Sequence, residues 1–186
     1  MPEDANPVRP EYVPAKLRPD DMGEIGDLPA LAQADPVDVL PAEARCRLIR
    51  FLDTTKDWDG VALLQNGDMT HWVHLSAGEV VSFQSFLTGR LAAAFDVPPE
   101  TRADAQAIAA TMARPERLAT HLRSGEISGG PAGVLGALIG AEISAARAYW
   151  LGQRVVLIGD AVMVENYNAP LVAQGVTPEI DVNAAG

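Results

Sequence analysis

The chain has 186 residues, is 48% hydrophobic, and carries a formal net charge of −11 with a sequence pI near 4.6. That is enough apolar content for one domain with a core. An acidic balance of this size excludes a concentrated basic face, so neither nucleic acid nor an anionic membrane surface is an expected partner.

In chain order, residues 1–41 stand apart. They hold eight of the fourteen prolines and many carboxylates, with no periodic apolar pattern. Proline removes backbone donors and blocks helices, so the reading is an extended or partly disordered arm, with residues 1 to about 30 outside the core. The opening MPEDANPVRP lacks the basic and apolar regions of a secretion signal. Residues 42–186 read as one α/β domain. AEARCRLIRFL is a helix with Leu48, Phe51 and Leu52 at helical spacing. GVALL (60–64), THWVHL (70–75) and VVSFQ (80–84) are three strands, and their short connections require antiparallel neighbours. Helical segments follow: SFLTGRLAAAF, TRADAQAIAATMA, ERLATHLRSGE, and one long helix over 132–153. RVVLIG (154–159) is a fully apolar strand, then come a helix near 160–174 that contains Pro170 and a last strand over 176–182. The longest uncharged apolar stretch, 128–141, is too short to span a bilayer. Three antiparallel strands, helices, strand, helix, strand is a mixed-sheet α/β order. It resembles the ribonuclease-H-like lobe of sugar kinases and actin-type ATPases.

Candidate sites divide into several clusters. Asn66-Gly67 is a strong hairpin signal, and Asp68-Met69-Thr70-His71-Trp72 follows it. His71 and His74 are three apart on a predicted strand, so alternation sends them to opposite faces. They are read as surface histidines, with no metal site. Cys46 lies between two arginines but has no histidine near in sequence, so it reads as a half-buried helix residue. As the one cysteine it leaves no internal disulfide and suits the reducing cytoplasm. Glycines 129, 130, 133, 136 and 140 lack the GxxxxGK[ST] spacing of a phosphate loop, and the two lysines, Lys16 and Lys56, sit in no such loop. Gly136 and Gly140, one turn apart, suit close helix packing.

The stretches DWDGVALL, HWVHLSAGEVVSFQSFLTGRL, LIGAEISAARAYWLGQRVVLIG and NYNAPLVAQG, with a weaker pattern at Gln33, Pro36 and Asp38-Val39, resemble the 2-dehydro-3-deoxygalactonokinase family. The resemblance implies a sugar-kinase fold and the phosphorylation of a 2-keto-3-deoxy sugar acid with ATP and Mg²⁺ in a cleft. By matching positions it implies phosphate contact at Gly67 and Thr70 and substrate contact at Thr88 and Gly89. It implies nucleotide-side roles for Gly140, Glu142 and Gly159. For each, a purely structural role is the alternative: a turn glycine, an N-cap threonine, a packing glycine.

The chain departs from the family pattern in several places. The family's first phosphate turn, Asp-Trp-Gly-Thr-Thr-Asn, has no counterpart. Its Gly-Thr-His-Ser/Thr-Lys-Trp turn becomes Gly67-Asp68-Met69-Thr70-His71-Trp72, and its Thr-Gly-Glu becomes Thr88-Gly89-Arg90. Its Arg-Gly-Glu-Glu motif falls on Ala42-Glu43-Ala44-Arg45, and Glu43 is not at a matching place for a base. Phosphoryl transfer depends on positioning and on cations that neutralise moving charge. A carboxylate at position 68 and a histidine in place of a lysine both weaken that. The expectation is a family member truncated and impaired in catalysis as a single chain. The lost turn belongs to the family's N-terminal phosphate-binding lobe, so the chain would form a homodimer or take that lobe from a separate chain. The alternative is a non-catalytic module that binds a sugar acid, a nucleotide or a protein partner.

Overall fold

The computed structural model describes residues 9–20 and 28–181. Nine strands and seven helices follow in chain order: β1 Glu11–Tyr12, β2 Ala15–Lys16, β3 Leu31–Ala34, β4 Val37–Leu40, α1 Ala42–Thr54, β5 Gly60–Asn66, β6 Met69–Ser76, β7 Glu79–Phe86, α2 Thr88–Ala94, α3 Ala105–Ala113, α4 Leu118–Ser128, α5 Gly130–Ala145, α6 Arg147–Trp150, β8 Val155–Ile158, α7 Ala161–Ala173 and β9 Glu179–Asp181. The main sheet runs β2-β7-β6-β5-β8-β9, and a small sheet runs β1-β3-β4. β5, β6 and β7 form the expected antiparallel meander, and β8 joins β5 in parallel. A mixed α/β lobe is therefore what the sequence order produced.

Both faces of this sheet are covered, which is why its central strands read as nearly unbroken apolar runs. Alternation deals Val61, Leu63, Trp72, Val155 and Leu157 to the face under α3, α5 and α7. Ala62, Leu64, Val73, Leu75, Val156 and Ile158 go to the face under α1 and the N-terminal strands. A register shift between His74 and Leu75 marks a bulge in the β6–β7 pairing.

The N-terminal segment corrects the reading of an arm outside the core. Leu17, Leu28, Leu31 and Leu40 are buried in the α1-side core. Arg45 on α1 is fully buried and fastens the segment. Its guanidinium donates to the carbonyls of Leu17 (2.9 Å), Pro29 (3.0 Å) and Lys16 (2.7 Å), and pairs with Glu11 at 3.0 Å. Sequence reading failed here because proline-rich strands show no period. Their backbone carbonyls are satisfied by another element's side chain instead of by a long ladder. Residues 1–8 and 21–27, also within the predicted arm, lie outside the described residues.

The weak pattern at Gln33, Pro36 and Asp38 has a physical role. β2 pairs with β7 only at Val80 and Glu79. Further along, the Phe83 amide donates to Gln33 Oε1 at 3.0 Å and the Ser85 amide to Asp38 Oδ2 at 2.7 Å. Two side chains thus satisfy backbone donors that an edge would leave open. Gln33 Nε2 is itself held by the Pro36 carbonyl at 3.4 Å.

The long helix expected over 132–153 breaks at Ala146. α5 ends there, α6 is a single turn, and Trp150 folds inward to 1% exposure, its indole Nε1 donating to the Ile143 carbonyl at 2.8 Å. Burying that ring outweighs continuing the helix. The glycines of α5 are packing residues. A Cβ on Gly136 would lie 2.6 Å from the Asp104 carbonyl, and one on Gly140 would lie 2.4 Å from the Ile108 carbonyl of α3.

Candidate functional site

The β5–β6 hairpin closes through Gly67-Asp68, with Asn66 paired to Met69. Gly67 has φ +60 and Asp68 is not in the positive-φ region. The loop is thus two residues long with left-handed backbone only at its first position, as in a II′ turn. The turn thus lies one residue later than the Asn66-Gly67 pair predicts. The tip sits on the start of α2: the Arg90 amide donates to the Asp68 carbonyl at 2.9 Å, and a Cβ on Gly89 would lie 2.8 Å from that same oxygen. Glycine at 89 permits this approach.

Beneath the tip opens a cleft of about 300 Å³ between the hairpin, α2, α5 and the start of α7. Gly67, Thr70, Thr88 and Gly89 all line it. The structure therefore brings together, from two separate elements, the four positions expected to face phosphate and substrate. Gly140 does not line it; it packs against α3. Gly159 directly follows β8, where a Cβ would lie 2.7 Å from Met163 Sδ. The next residue, Asp160, lines the cleft and caps α7 by accepting from the Met163 amide at 2.7 Å.

Glu142 is the unexpected centre. It is 2% exposed, on α5, and four side chains from three other elements donate to it. Thr70 Oγ1 (2.7 Å) and Trp72 Nε1 (2.9 Å) share Oε1, while Tyr167 OH (2.8 Å) and Thr88 Oγ1 share Oε2. An ionised carboxylate is acceptor-only with about four lone-pair sites, and all of them are met here. Burial pushes its pKa up, against which the four hydrogen bonds pull it down. Tyr167, buried against that carboxylate, is driven well above the usual tyrosine value, mainly by burial. Thr88 is thus not an N-cap: it is the first residue of α2, and its hydroxyl is committed to Glu142. Sequence reading placed Glu142 on the nucleotide side but missed Trp72 and Tyr167. The signal available was a lone glutamate inside an otherwise apolar helix.

Two altered positions turn out to be coupled. Asp68 and Arg90 form a two-point ion pair, Nε to Oδ2 at 2.7 Å and Nη2 to Oδ1 at 3.2 Å. Arg90 holds the Asp68 carboxyl below the usual range. The new carboxylate at the tip is therefore neutralised by the new arginine beside it, although sequence reading weighed the two separately.

His71 corrects two expectations. It is fully buried, and it shares the opposite sheet face with Val73 and Leu75, away from the cleft that Thr70 lines. Its Nδ1 shares a hydrogen bond with Ser85 Oγ at 2.6 Å, and its buried Nε2 has no partner among the described residues. Burial holds its pKa down to about 4. It is not a surface histidine, and its side chain is not an element of the tip's charge, because period-2 alternation separates it from Thr70 and Trp72. Cys46 is half-buried on α1, packed against the α1-side core. Among the described residues, no group of three or more His, Cys, Asp or Glu is placed to hold a metal ion. The cleft carboxylates, Asp68 and Asp160, are engaged by Arg90 and by the α7 amide, so the residues present do not fit a chain-held Mg²⁺.

This architecture is that of a sugar-kinase lobe. It matches a solved structure from Sinorhizobium meliloti that carries the 2-dehydro-3-deoxygalactonokinase name, with TM-score 0.73, 24% identity, 92% of this chain and 68% of that chain covered. A model of the 2-keto-3-deoxy-galactonokinase family matches residues 1–185, and the chain belongs to that family. No curated protein matches it. No helix of the described residues is long and apolar enough to cross a membrane.

Proposed function

We propose that the chain binds the ligands of its family, a 2-keto-3-deoxy sugar acid and a nucleotide, in the cleft beneath the Gly67-Asp68 tip, and that phosphoryl transfer by the chain alone is impaired. The reading of the site rests on Gly67, Thr70, Thr88 and Gly89 lining one cavity, and the observation that carries the impairment is the charge of the cleft wall. Its charged lining residues are Asp68 and Asp160, with no lysine or arginine among them, and the nearby Arg90 is spent on Asp68. A transferring phosphoryl group needs cations around it, and this wall supplies hydroxyls, backbone and an apolar floor instead. ATP with Mg²⁺ is the family's phosphoryl donor by resemblance. The cation that the cleft wall lacks would come from a second copy or another chain. A cytoplasmic setting suits such a ligand pair.

The test is ATP-dependent phosphorylation of 2-keto-3-deoxy-galactonate by the isolated chain, run beside a calorimetric titration of each ligand. The expected result is binding without turnover above the uncatalysed background. Sustained turnover would refute the impairment, and absence of any binding would refute the site. Asp68→Thr removes a carboxylate and frees Arg90, so it should tighten ATP–Mg²⁺ binding several-fold.

A further inference from the structure

A second concavity, of about 620 Å³, lies on the far side of α7 from the tip, between α3, α7 and the α5–α6 junction. Its walls are methyl groups: Ala105, Ala109 and Ala113 on α3 face Ala169 and Ala173 on α7. Ile108, Met112 and Trp150 also line it. α3 and α5 run side by side in the same direction, since Gly136 meets Asp104 and Gly140 meets Ile108. The two ends of the groove are therefore chemically distinct. Near the start of α3, Arg102 and Glu165 pair with each other across the groove, and Asn166 is tied to Thr101 and Ala103. Near the end of α3 and α5, Arg147 projects its guanidinium over the Trp150 ring, 5.7 Å from the centroid. No carboxylate of the described residues lies within ion-pair distance of Arg147.

An unpaired cation at one end of an apolar slot is unusual on a chain of net charge −11. The volume falls in the range of small-molecule pockets, which combine an apolar lining with a few polar groups that fix orientation. The ion pair that bridges one end makes the slot a bounded cavity and not an open-ended channel for a helix. A guanidinium placed over an indole ring presents its planar fork of donors to an anion. We propose that this groove is a second ligand site, for an amphipathic organic anion with a flat apolar body between the alanine faces and one carboxylate or sulfonate on Arg147. This goes beyond the reading of the cleft and stands without it.

The probe is 8-anilinonaphthalene-1-sulfonate, titrated into the full chain by fluorescence. Saturable one-to-one binding is expected. Ala109→Trp and Ala173→Trp, both at exposed positions, should abolish it. Arg147→Met, which keeps the apolar stem, should weaken it about tenfold while leaving the neutral N-phenyl-1-naphthylamine unaffected. Circular dichroism verifies that each variant is folded. Equal binding by all variants overturns the proposal, as does loss on Ala93→Trp in the cleft with retention in Ala109→Trp. A wild-type dimer dissociated by Ala109→Trp in sedimentation would assign the groove to a second copy and overturn it too.

Discussion

Glu142→Gln tests whether the carboxylate under the cleft organises the site. The substitution is isosteric, yet it replaces one oxygen by an NH₂ group. Whichever oxygen remains keeps two of the four donors: Thr70 with Trp72, or Thr88 with Tyr167. The other two then face a donor. Hydrogen bonds to a charged group are each worth about 1.5–3 kcal/mol, and a buried donor left unmet costs about 1–3 kcal/mol. Against this, the amide no longer carries a charge out of water, which recovers part of the loss. The net expectation is destabilisation by about 3 kcal/mol. For a chain of this size that lowers the melting temperature by about 6–12 °C. Urea unfolding followed by tryptophan fluorescence reads it, because Trp58, Trp72 and Trp150 are all buried. A change below about 1 kcal/mol, or a gain in stability, would refute the claim that four matched donors outweigh the burial of this carboxylate.

Three further outcomes follow from other parts of the fold. Arg45→Met should cost about 3–5 kcal/mol, because it strands three carbonyls and Glu11 at the joint between α1 and the N-terminal strands; a melting curve like the wild type's would restore the arm reading. For His71, a folded pKa of about 4 lies below the ordinary 6.5, so the folded state refuses a proton that the unfolded chain accepts. Its stabilising contribution is complete above pH 6.5 and falls by about 3 kcal/mol as pH drops toward 4, and His71→Asn should flatten that slope in acid titrations of stability. Gly140→Ala should lose about 1–2 kcal/mol in denaturant titration despite alanine's better helix propensity, because its Cβ meets the Ile108 carbonyl backbone at 2.4 Å.

The meander, the β8 strand and most helix positions were legible because each strand is bounded by turn chemistry and each face is buried. The alternation of Val61 and Leu63 against Ala62 and Leu64 is the plainest case. The N-terminal strands were not legible, since they are two to four residues long and are held by Arg45 of α1 and by their own Gln33 and Asp38 side chains reaching to β7. At the cleft, Gly67, Thr70, Thr88 and Gly89 line one cavity and Glu142 accepts from Thr70 and Thr88, a grouping that the family pattern did not show, since it put Glu142 on the nucleotide side with Gly140. Nor could it show that Asp68 and Arg90 neutralise each other, because that is a contact between residues 22 apart. Nor could it show that residue 71 faces away from Thr70 until the strand pairing was fixed.

The central claim is that the cleft under the tip holds the family's ligands. Gly89→Ala addresses it directly, because the added methyl presses on the Asp68 backbone carbonyl at 2.8 Å and must push the tip from α2. Calorimetric titration of ATP–Mg²⁺ and of 2-keto-3-deoxy-galactonate into wild type and variant, with folding verified by circular dichroism, reads the outcome. Binding by the wild type that weakens tenfold or more in the variant is the predicted result. Equal affinity in both proteins, or no binding by the wild type, would contradict it.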